Sequence, residues 1–379
     1  MPPTRRETLA AVAGLAAAGR LRGQDVPRTA GLFERVHEPK NLEAPFAELA
    51  DTFLTPTAKF YVRSHFAAPV VDADAFRLTV DGLVETPLSL SLADLKAMAE
   101  VSRPATLECA GNGRVFLVPP APGAQWGLGA VGTADWAGVP LGAVLDRAKV
   151  KAGAVDVVLT GADKGPVAGP PASPGAVHFD RGIPLAKCRR DETLLAWEMN
   201  GRPLTPDHGF PLRAVVGGWY GMAAVKWLTR VTVTDRPYQG YWQTLDYSYF
   251  ERAGGRPEMT PITAILPKAS VARPAAGEVV AAGKPYRVIG LAWAGENAVE
   301  RVEVSTDGGA SWSPAAVERQ TKPCCWQAWR FDWTPEAKGP AGLLARCVDA
   351  AGRGQPDKRD PDRRTYLINH LVPVPVTVG

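Results

Sequence analysis

Cys109 ends the short apolar run Thr106-Leu107-Glu108 and opens a turn of small residues, Ala110-Gly111-Asn112-Gly113-Arg114, where backbone can approach a bulky ligand. A thiolate is a soft, charged ligand that suits a high-valent metal, whereas the same cysteine left unliganded is a small buried hydrophobe. The run alone leaves both readings open. Four more cysteines, Cys188, Cys324, Cys325 and Cys347, complete a set of five without any Cys-x-x-Cys pair, so zinc-ribbon, redox-dithiol and c-type haem sites lack their spacing. The neighbours Cys324 and Cys325 could form a vicinal disulfide, bridge to Cys347, or remain two buried thiols.

The elements that must position such a site are short. Hydrophobic residues make up 46% and charged residues 22%, which excludes disorder, and 35 prolines with 38 glycines disfavour an all-α fold. A length of 379 residues predicts two domains after a short leader. Between residues 60 and 236, apolar runs broken by glycine and proline, such as Phe76-Arg77-Leu78-Thr79-Val80-Asp81-Gly82, predict strand followed by turn. Ser91 is the predicted N-cap of a helix reaching Met98, with Asp94 at its third position and Leu92, Leu95 and Met98 on one face. A second helix is expected over 139–149, a strand over 155–160, and a long loop rich in Gly, Pro and Ala over 162–175.

Pro257, Pro261, Pro267 and Pro274 mark a boundary. Beyond it, strands expected over 286–293, 299–305, 329–333 and 343–348, with turn signals at Asp307-Gly308-Gly309 and Ala351-Gly352, predict an Ig-like β-sandwich. The expected fold class is therefore mixed α+β and β-rich, with a leader over 1–30, a first domain over 31–256 and a second over 257–379.

A formal charge of +4 is small for this length, and no Lys/Arg run with interleaved aromatics occurs, so nucleic acid is excluded as a partner. Thr4-Arg5-Arg6-Glu7-Thr8-Leu9 before a mildly apolar run over 10–19 has the layout of a twin-arginine export signal, and that run is too short to span a bilayer. A periplasmic protein with no membrane span is expected. In an exported chain an odd cysteine count leaves one thiol unpaired, and Cys109 is the candidate.

Several segments in order resemble the sulfite oxidase family. They are Tyr61-Val62-Arg63-Ser64-His65, Cys109-Ala110-Gly111-Asn112-Gly113-Arg114, Trp126 followed by Gly132-Thr133-Ala134-Asp135-Trp136, and Trp197-Glu198-Met199-Asn200-Gly201. Asp207-His208-Gly209-Phe210-Pro211-Leu212-Arg213, Val225-Lys226-Trp227 and Tyr241-Trp242-Gln243-Thr244-Leu245-Asp246-Tyr247 follow. Val302-Glu303-Val304-Ser305-Thr306-Asp307-Gly308-Gly309 is similar to that family's dimerisation domain. The resemblance implies a sulfite oxidase-type molybdopterin-binding domain followed by the Ig-like sandwich, and a molybdenum ion carried by molybdopterin with Cys109 as its protein ligand.

By the same resemblance, cofactor contacts fall on Tyr61, Arg63, Ser64, His65, Asp163, His208, Arg213, Ala224, Val225 and Lys226. Arginine and lysine suit a terminal phosphate, and histidines can donate to phosphate or pterin heteroatoms. The substrate pocket falls on Arg63, Arg114, Tyr247 and Arg364, with Trp126 as a wall and Asp246 beside Tyr247. Three arginines at a metal repel one another unless an anion lies between them, which suits a small oxyanion such as sulfite. The implied reaction is sulfite to sulfate by oxo transfer, with electrons leaving singly to a separate c-type cytochrome, since this chain has no haem motif. A homodimer is also implied.

Three positions depart from the animal members: Ser64 replaces Asn, Gly113 replaces a further Arg, and Trp126 stands two residues closer to Cys109. Rival readings are a related molybdoenzyme acting on sulfane sulfur or an S-oxide, and a non-catalytic exported binding module. The 241–247 run favours sulfite, and the second domain speaks against a methionine sulfoxide reductase.

Overall fold

The computed structural model describes residues 26–319 and 321–379. The twin-arginine pattern at residues 4–9 and its apolar run lie outside them.

The first domain is framed by two sheets. In one, the order is Ala176–Pro184, Asp156–Pro166, Leu228–Thr234, Leu78–Gly82, Leu88–Leu90, parallel between Leu228–Thr234 and Leu78–Gly82 and antiparallel elsewhere. In the other, the order is Arg202–Pro203, Thr193–Met199, Val131–Pro140, Val101–Glu108, with Arg213–Val216 also paired to Thr193–Met199. Val101–Glu108 runs antiparallel to Val131–Pro140 until Glu108 faces Val131, so the sheet delivers the chain to Cys109 at its edge.

The helix over Leu92–Lys96 carries the expected capping box: Ser91 accepts from the Asp94 amide and Asp94 accepts from the Ser91 amide. It stops at Lys96, short of Met98. The second helix is Leu141–Ala148, because Val139 and Pro140 stay in the preceding strand; it buries Leu141, Val144, Leu145 and Ala148.

The expected long loop over 162–175 is a correction. The strand Asp156–Pro166 runs through it, pairing as far as Pro166 with Ala176, and only 167–175 form the connection. Glycine reads locally as a breaker, yet here it permits close approach: a Cβ on Gly161 would meet the Lys226 carbonyl at 2.8 Å, and one on Gly165 the Phe66 ring at 2.6 Å. Tertiary pairing overrides local propensity, and Asp163 is held on a strand.

A hairpin of Ser248–Ala253 and Arg256–Pro261 straddles the expected boundary. The second domain is a β-sandwich. One sheet is ordered Lys268–Arg273, Tyr286–Trp293, Gln327–Trp333, Ala316–Val317, and the other Val279–Val280, Val374–Val378, Gly339–Asp349, Val299–Ser305, Ser313–Pro314. Its inner faces pack Val288, Val302, Val304, Trp329, Leu343 and Val376. The first domain's core continues into the second through Leu291, Trp293, Trp326, Tyr366 and Leu367. Cys109, Cys188, Cys324 and Cys347 are buried thiols, so the vicinal disulfide and the bridge to Cys347 both fall; Cys325 is buried as well. Among the described residues no helix is long and apolar enough to cross a membrane.

Candidate active site

The Cys109 turn is built by backbone hydrogen bonds. The Cys109 amide donates to the Ala130 carbonyl at 2.9 Å, the Asn112 amide to the Cys109 carbonyl at 2.8 Å, and the Arg114 amide to the Gly111 carbonyl at 3.0 Å. Gly113 sits at φ +100°, where a side chain is strained, and a Cβ there would come within 3.0 Å of Ile368. That accounts for glycine at this departure from the animal pattern. The Cys109 side chain lines a cleft of roughly 630 Å³, counting its open mouth, together with Tyr61, Arg63, His65, Asp163 and Tyr247. Burial pushes its thiol up, and the charges of Arg63 and Arg114 pull it back toward thiolate.

One side of the cleft is cationic. Lys226 donates to Ser64 Oγ at 3.0 Å and to the Asp207 carbonyl at 2.8 Å. Arg213 donates to the carbonyls of His208 and Ala224 at 3.0 and 3.1 Å and lies over the Trp136 ring. Among the described residues neither cation has a carboxylate ion-pair partner. Burial lowers Arg213 to about 10 and His208 to about 3, so His208 is neutral, and its Nε2 lies 3.3 Å from the Thr57 carbonyl. Desolvation also depresses Lys226 and raises Asp163, whose Oδ1 is buried without a hydrogen-bond partner among the described residues. Two buried cations without a contacting carboxylate and an orphaned carboxylate oxygen fit a phosphate-bearing heterocycle with N–H donors. Among the described residues no three His, Cys, Asp or Glu side chains cluster as a metal cage, so a metal here would rest on one protein thiolate and its cofactor. Tyr61 and Ala224 line the same cleft, whereas Val225 is buried beneath it and does not reach it.

On the other side, His65 Nε2 lies 2.6 Å from the Tyr247 hydroxyl. The imidazole stacks on Phe179 at 4.2 Å and touches Trp242 at 4.5 Å. Burial keeps His65 well below its ordinary value, and therefore neutral, and raises the Tyr247 phenol, which stays protonated. Tyr247 leaves a π-helical turn over Trp242–Asp246, a rare geometry that re-aims the residue following it.

The arginines do not all converge on the cleft. Arg63 lines it, with its guanidinium donating to Asn41 Oδ1 at 3.2 Å and to the Ser64 carbonyl. Arg114 lies behind the Cys109 turn, donating to the Ala124 carbonyl at 2.7 Å and to Thr365 Oγ1 at 2.9 Å, above the Tyr366 ring. Arg364 is turned away, its guanidinium taken by the carbonyls of Leu245, Asp246 and Ser248 and by Ser248 Oγ. The Asp246 carboxylate accepts from the Tyr366 hydroxyl at 2.7 Å and does not line the cleft. Trp126 is fully buried among Phe60, Tyr61, Leu107 and Cys109, so it backs the cysteine instead of forming a pocket wall.

Residues 65–242 match the oxidoreductase molybdopterin binding domain and residues 260–371 the Mo-co oxidoreductase dimerisation domain. Sulfite oxidase of Gallus gallus is 36% identical over 357 residues, covering 89% of this chain and 75% of that protein. The chain belongs to the sulfite oxidase family. It is a molybdenum oxidoreductase whose cofactor is molybdenum bound to molybdopterin, and the reading as a mere binding module falls. The mitochondrial sulfite oxidase of Homo sapiens is 36% identical, with 85% of this chain matched but only 61% of the human protein. The structure of the sulfane dehydrogenase SoxCD from Paracoccus pantotrophus superposes with a TM-score of 0.75 at 26% identity, covering 94% of this chain and 89% of that one.

Sequence reasoning missed residues that hold the site from behind. Glu108, 1% exposed, receives Lys268 Nζ and Asn112 Nδ2 at 3.0 Å each and Trp293 Nε1 at 2.8 Å. Buried Arg181 caps the π-helical turn by donating to the Trp242 and Ile262 carbonyls. Apart from Asn112, their partners lie far away in sequence, and no local spacing announces them.

Proposed function

We propose that this chain oxidises sulfite to sulfate, passes the electrons one at a time to a separate c-type cytochrome, and works as a homodimer in the periplasm after folded export. The observation that carries the substrate assignment is the meeting of Cys109, Arg63 and the His65–Tyr247 pair in one cleft. Cys109 would hold the molybdenum, while Arg213, Lys226 and His208 would receive the cofactor's phosphate and Asp163 a pterin N–H. When bound, that centre supplies a transferable oxygen atom and takes up two electrons.

The protein's own part is electrostatic and positional. Arg63 draws a small dianion into a site where burial makes the attraction strong. His65 is neutral, so it and Tyr247 share one hydrogen bond. In the tautomer with Nε2–H, the ring donates to the phenol oxygen and leaves the phenol proton for an oxygen of the bound anion. Lodged between Phe179 and Trp242, the ring fixes that direction.

A second reading, sulfane sulfur as substrate, draws support from the likeness to the sulfane dehydrogenase. The test is a metal analysis of protein expressed with its leader in a molybdenum-replete host, followed by cytochrome c reduction with sulfite and with a carrier-bound sulfane. One molybdenum per chain and sulfite turnover are expected. Turnover of the sulfane alone would transfer the assignment to the second reading.

A further inference from the structure

A second cavity, about 700 Å³ including its mouth, lies away from the cleft and is lined by Arg353, Lys358, Arg359, Asp360, Arg363 and His370. Four cations thus face one carboxylate. That carboxylate is engaged with Arg363 at 3.4 Å, and Arg353 is paired with Asp349 at 2.8 Å. Lys358 is exposed and, among the described residues, has no partner. Arg359 donates to the carbonyls of Arg364, Tyr366 and Leu367 at 2.8, 2.7 and 2.9 Å, which uses three of its five N–H groups and leaves two. His370 Nδ1 is sealed in the protein without a hydrogen bond; Nε2 is not sealed and, among the described residues, has no partner either.

Burial lowers Arg359 to about 10 and His370 to about 4, with Arg363 and Arg114 adding to the first shift and Arg359 and Lys268 to the second. The cations raise one another's cost here, a condition that an anion relieves. An ordinary solvated basic face would not be recessed, and would not leave an imidazole nitrogen unmatched.

The segment that lines this cavity also touches the active site. The Leu367 amide donates to the carbonyl of Ala110, next to Cys109, and Thr365 receives Arg114. Arg364 and Leu367 both sit at positive φ, 56° and 55°, a conformation costly for side-chain-bearing residues, and Arg359 binds the carbonyl of each.

We propose that this cavity is a regulatory binding site for a small tetrahedral oxyanion of the sulfate or phosphate kind, and that its occupation clamps the 359–370 segment against the Cys109 turn. Lys358, the two spare N–H groups of Arg359 and His370 Nε2 are donors suited to such a ligand. The site does not depend on sulfite being the substrate.

The test is calorimetric titration of the full-length holoenzyme with sulfate and, separately, phosphate. Arg63→Met suppresses anion binding in the cleft, and Lys358→Met, at an exposed position, leaves the fold intact. Wild type and Arg63→Met should both keep a binding event that Lys358→Met weakens by about tenfold to a hundredfold, as expected for losing one charge-assisted hydrogen bond. Adding His370→Leu to Lys358→Met should abolish it. In the Arg63→Met protein, saturating sulfate should slow hydrogen exchange across 359–370. Binding that vanishes in Arg63→Met, or that is unchanged in the Lys358→Met/His370→Leu protein, would overturn the site. Exchange that sulfate leaves untouched would overturn the clamp. Sulfate binding without phosphate binding, or the reverse, would identify the ligand within the class.

Discussion

Replacing Lys268 with methionine tests whether the second domain holds the metal-binding turn electrostatically. Lys268 is 3% exposed, and its ammonium spans 3.0 Å to Glu108 Oε1 and 3.0 Å to the Asn112 carbonyl. The change keeps the stem and deletes the charge, leaving the Glu108 carboxylate buried with only neutral donors from Asn112 and Trp293. Stranding one member of a buried pair costs about 3–5 kcal/mol, a fall in Tm on the order of 5–10 °C in a chain of this size. Neutralising both members, Glu108→Gln with Lys268→Met, removes the stranded charge while Gln can still accept from Trp293, so the double variant should recover to within roughly 1–2 kcal/mol of wild type. Thermal unfolding of the four members of the cycle gives the coupling energy. The Mo(V) electron paramagnetic resonance signal of each reads whether the thiolate has moved. Singles and double that add without coupling, or a Lys268→Met protein melting with wild type, would refute the reasoning.

Arg63→Met should raise the KM for sulfite about tenfold to a hundredfold, the loss of one charge-assisted contact, with molybdenum content by mass spectrometry unchanged. Tyr247→Phe should lower kcat by about a hundredfold while KM moves little, read from steady-state kinetics, because only the phenol proton is lost. Cys109→Ser should abolish sulfite turnover in the cytochrome c assay. A side chain at Gly111 would run into the Arg114 guanidinium and push it off Ala124 and Thr365, so Gly111→Val should lower the Tm by several degrees in thermal unfolding.

Much of the frame was legible in the sequence because it rests on local signals. The Ser91/Asp94 capping box and the strands Tyr286–Trp293 and Val299–Ser305 stand where period and turn residues put them. The Cys109 turn was equally plain, since small residues around a thiol at a strand end are a contiguous pattern. What the pattern does not carry is direction. Arg364 and Arg114 were expected to meet Arg63, yet the distant carbonyls of Ser248 and Thr365 hold the two guanidiniums elsewhere. Trp126 gave no sign of facing the core, because an indole suits a cavity wall and a core alike. Asp163 lay inside what read as a glycine-rich loop, and only pairing with Ala176–Pro184 makes it strand. The Glu108–Lys268 pair joins residues 160 positions apart, beyond any local rule.

Every residue lining the cleft precedes Ser248, but the floor beneath it is fastened from the chain's last third. The Thr106 amide donates to the Cys324 carbonyl, the Trp326 amide to Thr106 Oγ1, and the Leu367 amide to Ala110. During synthesis the thiol-bearing turn therefore emerges from the ribosome long before its fasteners do. Until those residues are made, the bonds that tie Thr106 and Ala110 to the second domain cannot form. Grafting the first domain onto a foreign partner would remove those bonds, so the two domains are not interchangeable modules but parts of one support.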